Sequence, residues 1–198
     1  MRTIKKVASH IFIDGFGGMT QGLFATLIIG TMIQQIGLLI GGSTGNVIYL
    51  LGKAAAALTS AGIGVGVAVK YGESPLVTVS AAVAAMVGGY AGKITGGTFF
   101  VDGNAVLAGP GEPLGAFIAA FAGITCGHLV SGKTKVDIIV TPVITIGAGS
   151  VVGLLVGPPI SQMMTGLGSI INWATEQRPF IMGIVVSVVM GMVLTLPI

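Results

Sequence analysis

The sequence predicts an all-α integral membrane protein of about six transmembrane helices, with an amphipathic amino-terminal helix and a re-entrant hairpin. Three observations carry this. Only 8% of the 198 residues are charged, 53% are hydrophobic, and the mean hydropathy is +1.00. A soluble domain carries roughly 25% charged residues, so this chain could not cover a water-facing surface. Apolar runs of spanning length also recur, separated by short polar loops. Finally, one polar, glycine-rich stretch over 93–113 is too polar to span and too long for a tight turn. Such backbone beside a span is tolerated only where it is buried in protein or lines a wet cavity. The 34 glycines follow no three-residue period, which excludes a collagen helix. They suit helices that pack closely in lipid.

Residues 1–14 (MRTIKKVASHIFID) place Ile4, Val7, Ala8, Ile11 and Phe12 on one helical face, with Arg2, Lys5 and Lys6 nearby. This predicts a helix lying on the membrane surface. No short apolar core with a small-residue cleavage site follows, so no cleavable signal is read. The first span covers 15–40, where the amides of Gln21, Gln34 and Gln35 are expected to bond neighbouring helices. GGSTGN at 41–46 reads as a turn. The second span, 47–69, has Lys53 near its start, placed to snorkel. Gly62, Gly64 and Gly66 thin one of its faces.

KYGESP, 70–75, is a loop, and an alanine-rich third span covers 76–92. After the polar stretch comes a fourth span over 114–131 and the basic loop GKTKVD, 132–137. The fifth span, 138–156, is expected to end at GPPI, 157–160, because each proline lacks a donor and clashes with the preceding turn. An amphipathic segment over 160–173 then ends on Trp173, an interfacial anchor. Glu176 and Arg178 close the next loop. The last span runs from 179 and is still apolar at Ile198. Such an end predicts a chain cut short, with 15–198 the amino-terminal part of a longer transmembrane domain.

Charge sets the orientation. Segments 1–14, 70–75 and 132–137 hold Arg2, Lys5, Lys6, Lys70, Lys133 and Lys135, whereas the opposite side has only Lys93 and Arg178. The positive-inside rule places both ends in the cytoplasm and the polar stretch on the outer side or dipping in from it. The net charge of +3 sits in short loops, so it speaks to topology and gives no reason to expect nucleic acid.

Self-contained catalysis is not foreseen, and whether the chain serves as an enzyme component stays open. A single cysteine, Cys126, excludes an internal disulfide and a cysteine zinc site. No phosphate-binding loop, nucleophile elbow or HExxH is present, so no cofactor and no metal are expected. The candidate substrate-binding residues are Glu112, Asp102, Asn104 and His128. Glu112 stands in GPGEPLG, where Pro110 and Pro113 stiffen the backbone and the glycines allow close approach. It either caps the fourth span, where a carboxylate is favoured, or accepts hydrogen bonds from a solute at a site within the membrane. Asp102 and Asn104, in VDGN, form a turn or line the same cavity. His128, near the inner end of the fourth span, reaches the interface or joins the site. Lys93 reads as interfacial.

PGEPLGAFIAAFAGITCGHL, followed by its basic loop, resembles the glycine-rich segment of enzyme IIC sugar permeases of the bacterial phosphotransferase system. TPVITIGAGSVVGLLVGPPISQMMTGLGSII resembles the downstream pattern of that family. GGMTQGLFATLIIGTMIQQIG is similar to its toxin-regulator-like branch. The resemblance implies a multi-pass permease of the bacterial cytoplasmic (inner) membrane. It would be surrounded by lipid, built as a homodimer with re-entrant hairpins, and would bind a sugar for phosphorylation by IIB and IIA partners. In several branches a glutamate before a proline contacts sugar hydroxyls. Glu112-Pro113 matches, although it lies in the first half of a longer expected chain. No IIA or IIB domain is recognisable, and Cys126 sits in a span, unsuited to carry a phosphoryl group. The alternative is a membrane sensor or regulator that keeps the permease fold without transporting. A channel is disfavoured because charge rings are too sparse.

Overall fold

The computed structural model describes residues 10–101, 104–107, 109–175, 182–184, 186–188 and 191. Helix α1 (Ile13–Ile40) is 28 residues long. It is entered through a wide π turn, His10–Gly15, and holds another at Phe24–Ile28. Helices α2 (Gly42–Ala57) and α3 (Thr59–Lys70) meet at Leu58 with a bend of 52°. Then come α4 (Pro75–Gly89), the short α5 (Ala91–Thr95), a two-stranded antiparallel hairpin of β1 (Phe100–Val101) and β2 (Asn104–Ala105), α6 (Pro113–Val130) and α7 (Asp137–Thr175).

Three helices, α1, α6 and α7, are long and apolar enough to cross a membrane, or four if α2 and α3 are one bent span. Helix α4 is apolar but has 15 residues. The described residues thus yield fewer full spans than expected. The last expected span, 179–198, lies mostly outside them, as does most of the expected surface helix over 1–14.

Two expectations are corrected. The turn expected over 41–46 shrinks to Gly41, whose φ of 66° and ψ of −174° suit glycine alone, and α2 begins at Gly42. More importantly, GPPI ends nothing. Helix α7 runs for 39 residues through Pro142, Pro158 and Pro159, so the fifth span and the amphipathic segment behind it are one element. Each proline removes a single donor from a long helix, leaving the carbonyls of Leu154 and Leu155 without their usual partners. Packed neighbours and local adjustment make such losses tolerable in membrane helices. Gln34, expected to bond a neighbouring helix, donates from Nε2 to Gly30 O of its own helix at 3.4 Å.

Glycine sets the packing. Helix α1 runs antiparallel to the α2–α3 pair, and glycines face each other at successive crossings: Gly18 on Gly66, Gly22 on Gly62, Gly30 on Gly52 and Gly37 on Gly45. A Cβ at Gly18, Gly30 or Gly37 would stand 2.6, 2.9 or 2.7 Å from the opposing glycine's carbonyl oxygen. Backbones therefore touch, as small residues permit. A second glycine seam joins α4, α6 and α7, where a Cβ on Gly115 would lie 2.7 Å from Gly88 O and one on Gly149 2.6 Å from Ala119 O. Between the two seams lies a core of Met19, Ile63, Val67, Val77, Phe117 and Ile124, with Phe16 stacked on Phe117 at 4.7 Å.

Large apolar side chains cover much of the outside of the bundle. Leu39 is 87% exposed and Leu155 and Ile138 are 72% exposed, while Thr59, Thr141 and Thr145 are fully buried. Outward leucines and inward hydroxyls are the arrangement a lipid surround demands.

One end of the bundle gathers the basic loops. Ser74 Oγ is 3.1 Å from Ser131 Oγ, and Tyr71 reaches back to Gly15 at the start of α1. Burial, and after it the charge of Asp14, pushes the Tyr71 hydroxyl up to about 12, so it stays protonated. Asp137 Oδ1 accepts from Gly132 N at 2.9 Å and Thr141 Oγ1 at 2.6 Å, tying this loop to α7.

Candidate functional site

The polar stretch does not lie beyond the helices; it ends among them. From the basic-loop end, α4 rises 15 residues, about 22 Å, and stops at Gly89. Glu112 N donates to Gly89 O at 2.7 Å, which brings the start of α6 to the same level. Ser60 Oγ, just past the bend, donates to Pro110 O at 2.9 Å. Tyr90 is 1% exposed; its hydroxyl donates to Gly109 O and stands 3.4 Å from Ala57 O. Residues 109–112 are thereby strapped to the α2–α3 bend.

That level falls near the middle of both long helices. On α1 it corresponds to Thr26 and Gly30, which meet Gly62 and Ala56. Thr26 is about 20 Å along a helix of about 42 Å. On α7 it corresponds to Gly157 and Ser161, which meet Ala91 and Gly92. Gly157 is about 30 Å along a helix of about 58 Å.

Glu112 holds the residue position that caps α6, with φ −89° and ψ 111°, yet its side chain makes no capping hydrogen bond. Pro113 at the first helical position has no N–H to satisfy. Half-buried Glu112 instead lines a cavity of about 300 Å³, with Gly89, Gly92, Lys93, Pro110, Gly111 and, from α7, Ser161. Gly111, at φ 76°, must be glycine twice over, because a Cβ there would also meet Gly89 O at 3.0 Å. Lys93 Nζ lies 5.3 Å from the Tyr90 ring centroid, a cation–π distance.

A second cavity of about 430 Å³ adjoins the first. Gly92 and Ser161 line both, and Thr95, Pro158, Gln162 and Thr165 complete the second. The combined lining offers a carboxylate, an ammonium, hydroxyls and an amide, a set suited to a small polyhydroxylated solute.

Among the described residues, Glu112 is the one candidate substrate-binding residue that lines these cavities, joined by Lys93. Asn104 is exposed on the hairpin, opposite Val101, and Asp102 lies outside the described residues. His128 is at the other end of α6, 16 residues or about 24 Å away. There its Nδ1 is 3.0 Å from Glu73 Oε1, with a side chain 71% exposed. Sequence reasoning missed Ser60, Tyr90, Ser161, Gln162 and Thr165. A signal existed for the last three: they sit at i, i+1 and i+4 on the polar side of a segment read only for its apolar face.

A family model for the phosphotransferase system EIIC component matches residues 13–198. The chain belongs to the phosphotransferase system EIIC family. The match takes in the glycine seams, the polar stretch and the whole of α7. No curated protein and no solved structure matches the chain. Membership makes this a multi-pass membrane permease component of a sugar phosphotransferase system, in agreement with its outward apolar helices.

Proposed function

We propose that this EIIC chain binds a sugar between α4, α6 and α7, with Glu112 accepting hydrogen bonds from the hydroxyls, and hands it to a partner IIB subunit for phosphorylation. The observation that carries this is a half-buried glutamate with no capping hydrogen bond that lines a cavity level with the middle of two long apolar helices. A carboxylate held there is costly unless it serves a function.

Segment 90–112 is then a re-entrant hairpin, entered from the side opposite the basic loops. Those loops face the cytoplasm, with the amino terminus, by the positive-inside rule. Asn104, on the hairpin, belongs to the mouth of the site. His128, paired with Glu73, belongs to the cytoplasmic end and not to the binding step. The working unit is a homodimer in the lipid of a bacterial cytoplasmic membrane, as the family resemblance implies. Motion of the α4–α6–α7 group against the α1–α2–α3 group would move the sugar inward. Uptake coupled to phosphorylation tests this. Cells carrying the full chain with its IIA and IIB partners should accumulate a phosphorylated sugar from a panel of hexoses and hexose disaccharides. Accumulation of none would contradict the reading.

A further inference from the structure

Resting on the sugar reading above, we infer that the second cavity is a separate subsite for a second sugar ring, so that the solute is a neutral disaccharide or similar two-ring glycoside. Gln162 and Thr165 are its specificity-determining residues, while Ser161 is shared by both chambers. The two chambers are distinct in chemistry. The Glu112 chamber carries both charges, Glu112 and Lys93. The second is lined by Gly92, Thr95, Gly96, Pro158, Ser161, Gln162 and Thr165, with no charged side chain. A charged ring, such as a uronic acid or sugar phosphate, would find no counter-ion there.

Hydrogen-bond bookkeeping sharpens the match. Thr165 Oγ1 donates to Ser161 O at 2.8 Å and Thr95 Oγ1 to Ala91 O at 2.9 Å. Their hydrogens are engaged, so they face the chamber as acceptors. Gln162 is exposed on α7 and can offer two donors and an acceptor, and Ser161 can do either. Pro158 adds an apolar face for ring C–H groups. Volume points the same way. At about 300 and 430 Å³, each chamber stands near the lower end of small-molecule sites, roughly 300–1,000 Å³. Gly92 and Ser161 line both chambers, so the glycosidic link between the two rings would lie beside them. Gly92 lets α5 approach α7 closely there, since a Cβ on it would stand 2.8 Å from Ser161 Oγ.

Equilibrium binding to the purified full chain tests this, using glucose, galactose and mannose against maltose, cellobiose and lactose. One disaccharide should bind at least about tenfold tighter than its component hexose, the yield of one to two neutral hydrogen bonds. The double variant Q162A/T165A, at two residues that line the second chamber and not the first, and Gln162→Ala alone in smaller degree, should erase that preference and leave hexose affinity unchanged. Unchanged hexose binding also certifies the fold. Equal loss for both sugars, retained preference in the double variant, or a wild-type preference for the hexose would overturn the subsite while leaving the sugar reading intact. Binding of no sugar by the wild type would instead overturn the sugar reading, and the subsite with it.

Discussion

Tyr90→Phe probes how the site is held. The substitution keeps the ring, its contact with Phe99 at 5.4 Å and its place under Lys93, and deletes one hydroxyl. That hydroxyl joins Gly109 O to the α2–α3 bend at Ala57 O. Gly109 is exposed, so water can take over its carbonyl when the donor goes. The cost therefore falls in the net range for a neutral hydrogen bond, about 0.5–1.5 kcal/mol, rather than the larger penalty of a stranded buried acceptor. If the strap positions Glu112, three residues on, sugar affinity should fall about two- to tenfold. The protein should still assemble in the membrane as before. Titration of labelled sugar onto purified protein would measure the affinity. Hydrogen exchange over 109–112 would show faster opening. Ser60 holds the same strap through Pro110 O, so S60A and Y90F together should fall short of or exceed the sum of their single effects. Unchanged affinity together with unchanged exchange in Y90F would refute the positioning role.

Other predictions follow from the packing and the far end of the bundle. Gly22→Val places a branched side chain against Gly62 and Ile63; a rigid backbone seam should lose about 1–3 kcal/mol or more, read as a lower unfolding temperature in detergent. Gly147 has open space around it, so Gly147→Ala, on a helix, should leave that temperature equal or slightly higher. His128→Ala should change stability by less than about 1 kcal/mol, because the pair with Glu73 is largely exposed on the histidine side. Sugar affinity should not move, and a tenfold loss would place His128 in the binding step.

Much of this was legible in the sequence. The scarcity of charge gave the membrane class, and the basic residues grouped the loops that Ser74 and Ser131 bring together. Gly62 and Gly66 do face α1, but Gly64 turns the other way, onto Ala81 of α4. A thin face was visible; that α3 is thin on two sides needed the positions of its neighbours. The Pro158-Pro159 pair misled because local rules see two missing donors, while a 39-residue helix in lipid has nowhere better to put its remaining backbone groups. Reading a break there hid the polar side of α7 that completes the site. Glu112 stood out by composition, yet its depth was not legible. Depth depends on Gly89, Ser60 and Gly157 meeting at one level, and such long-range pairings leave no periodic trace.

Glu112 carries the central claim, and direct binding tests it with least ambiguity. Glu112→Gln keeps shape and volume while replacing one acceptor oxygen by a donor and removing the charge that faces Lys93. Titration of the preferred sugar onto purified wild-type and variant protein should show affinity lower by at least about tenfold, the effect of losing hydrogen bonds to a charged acceptor, with an unfolding temperature within a few degrees of the parent. Equal sugar affinity in the two proteins would contradict the account.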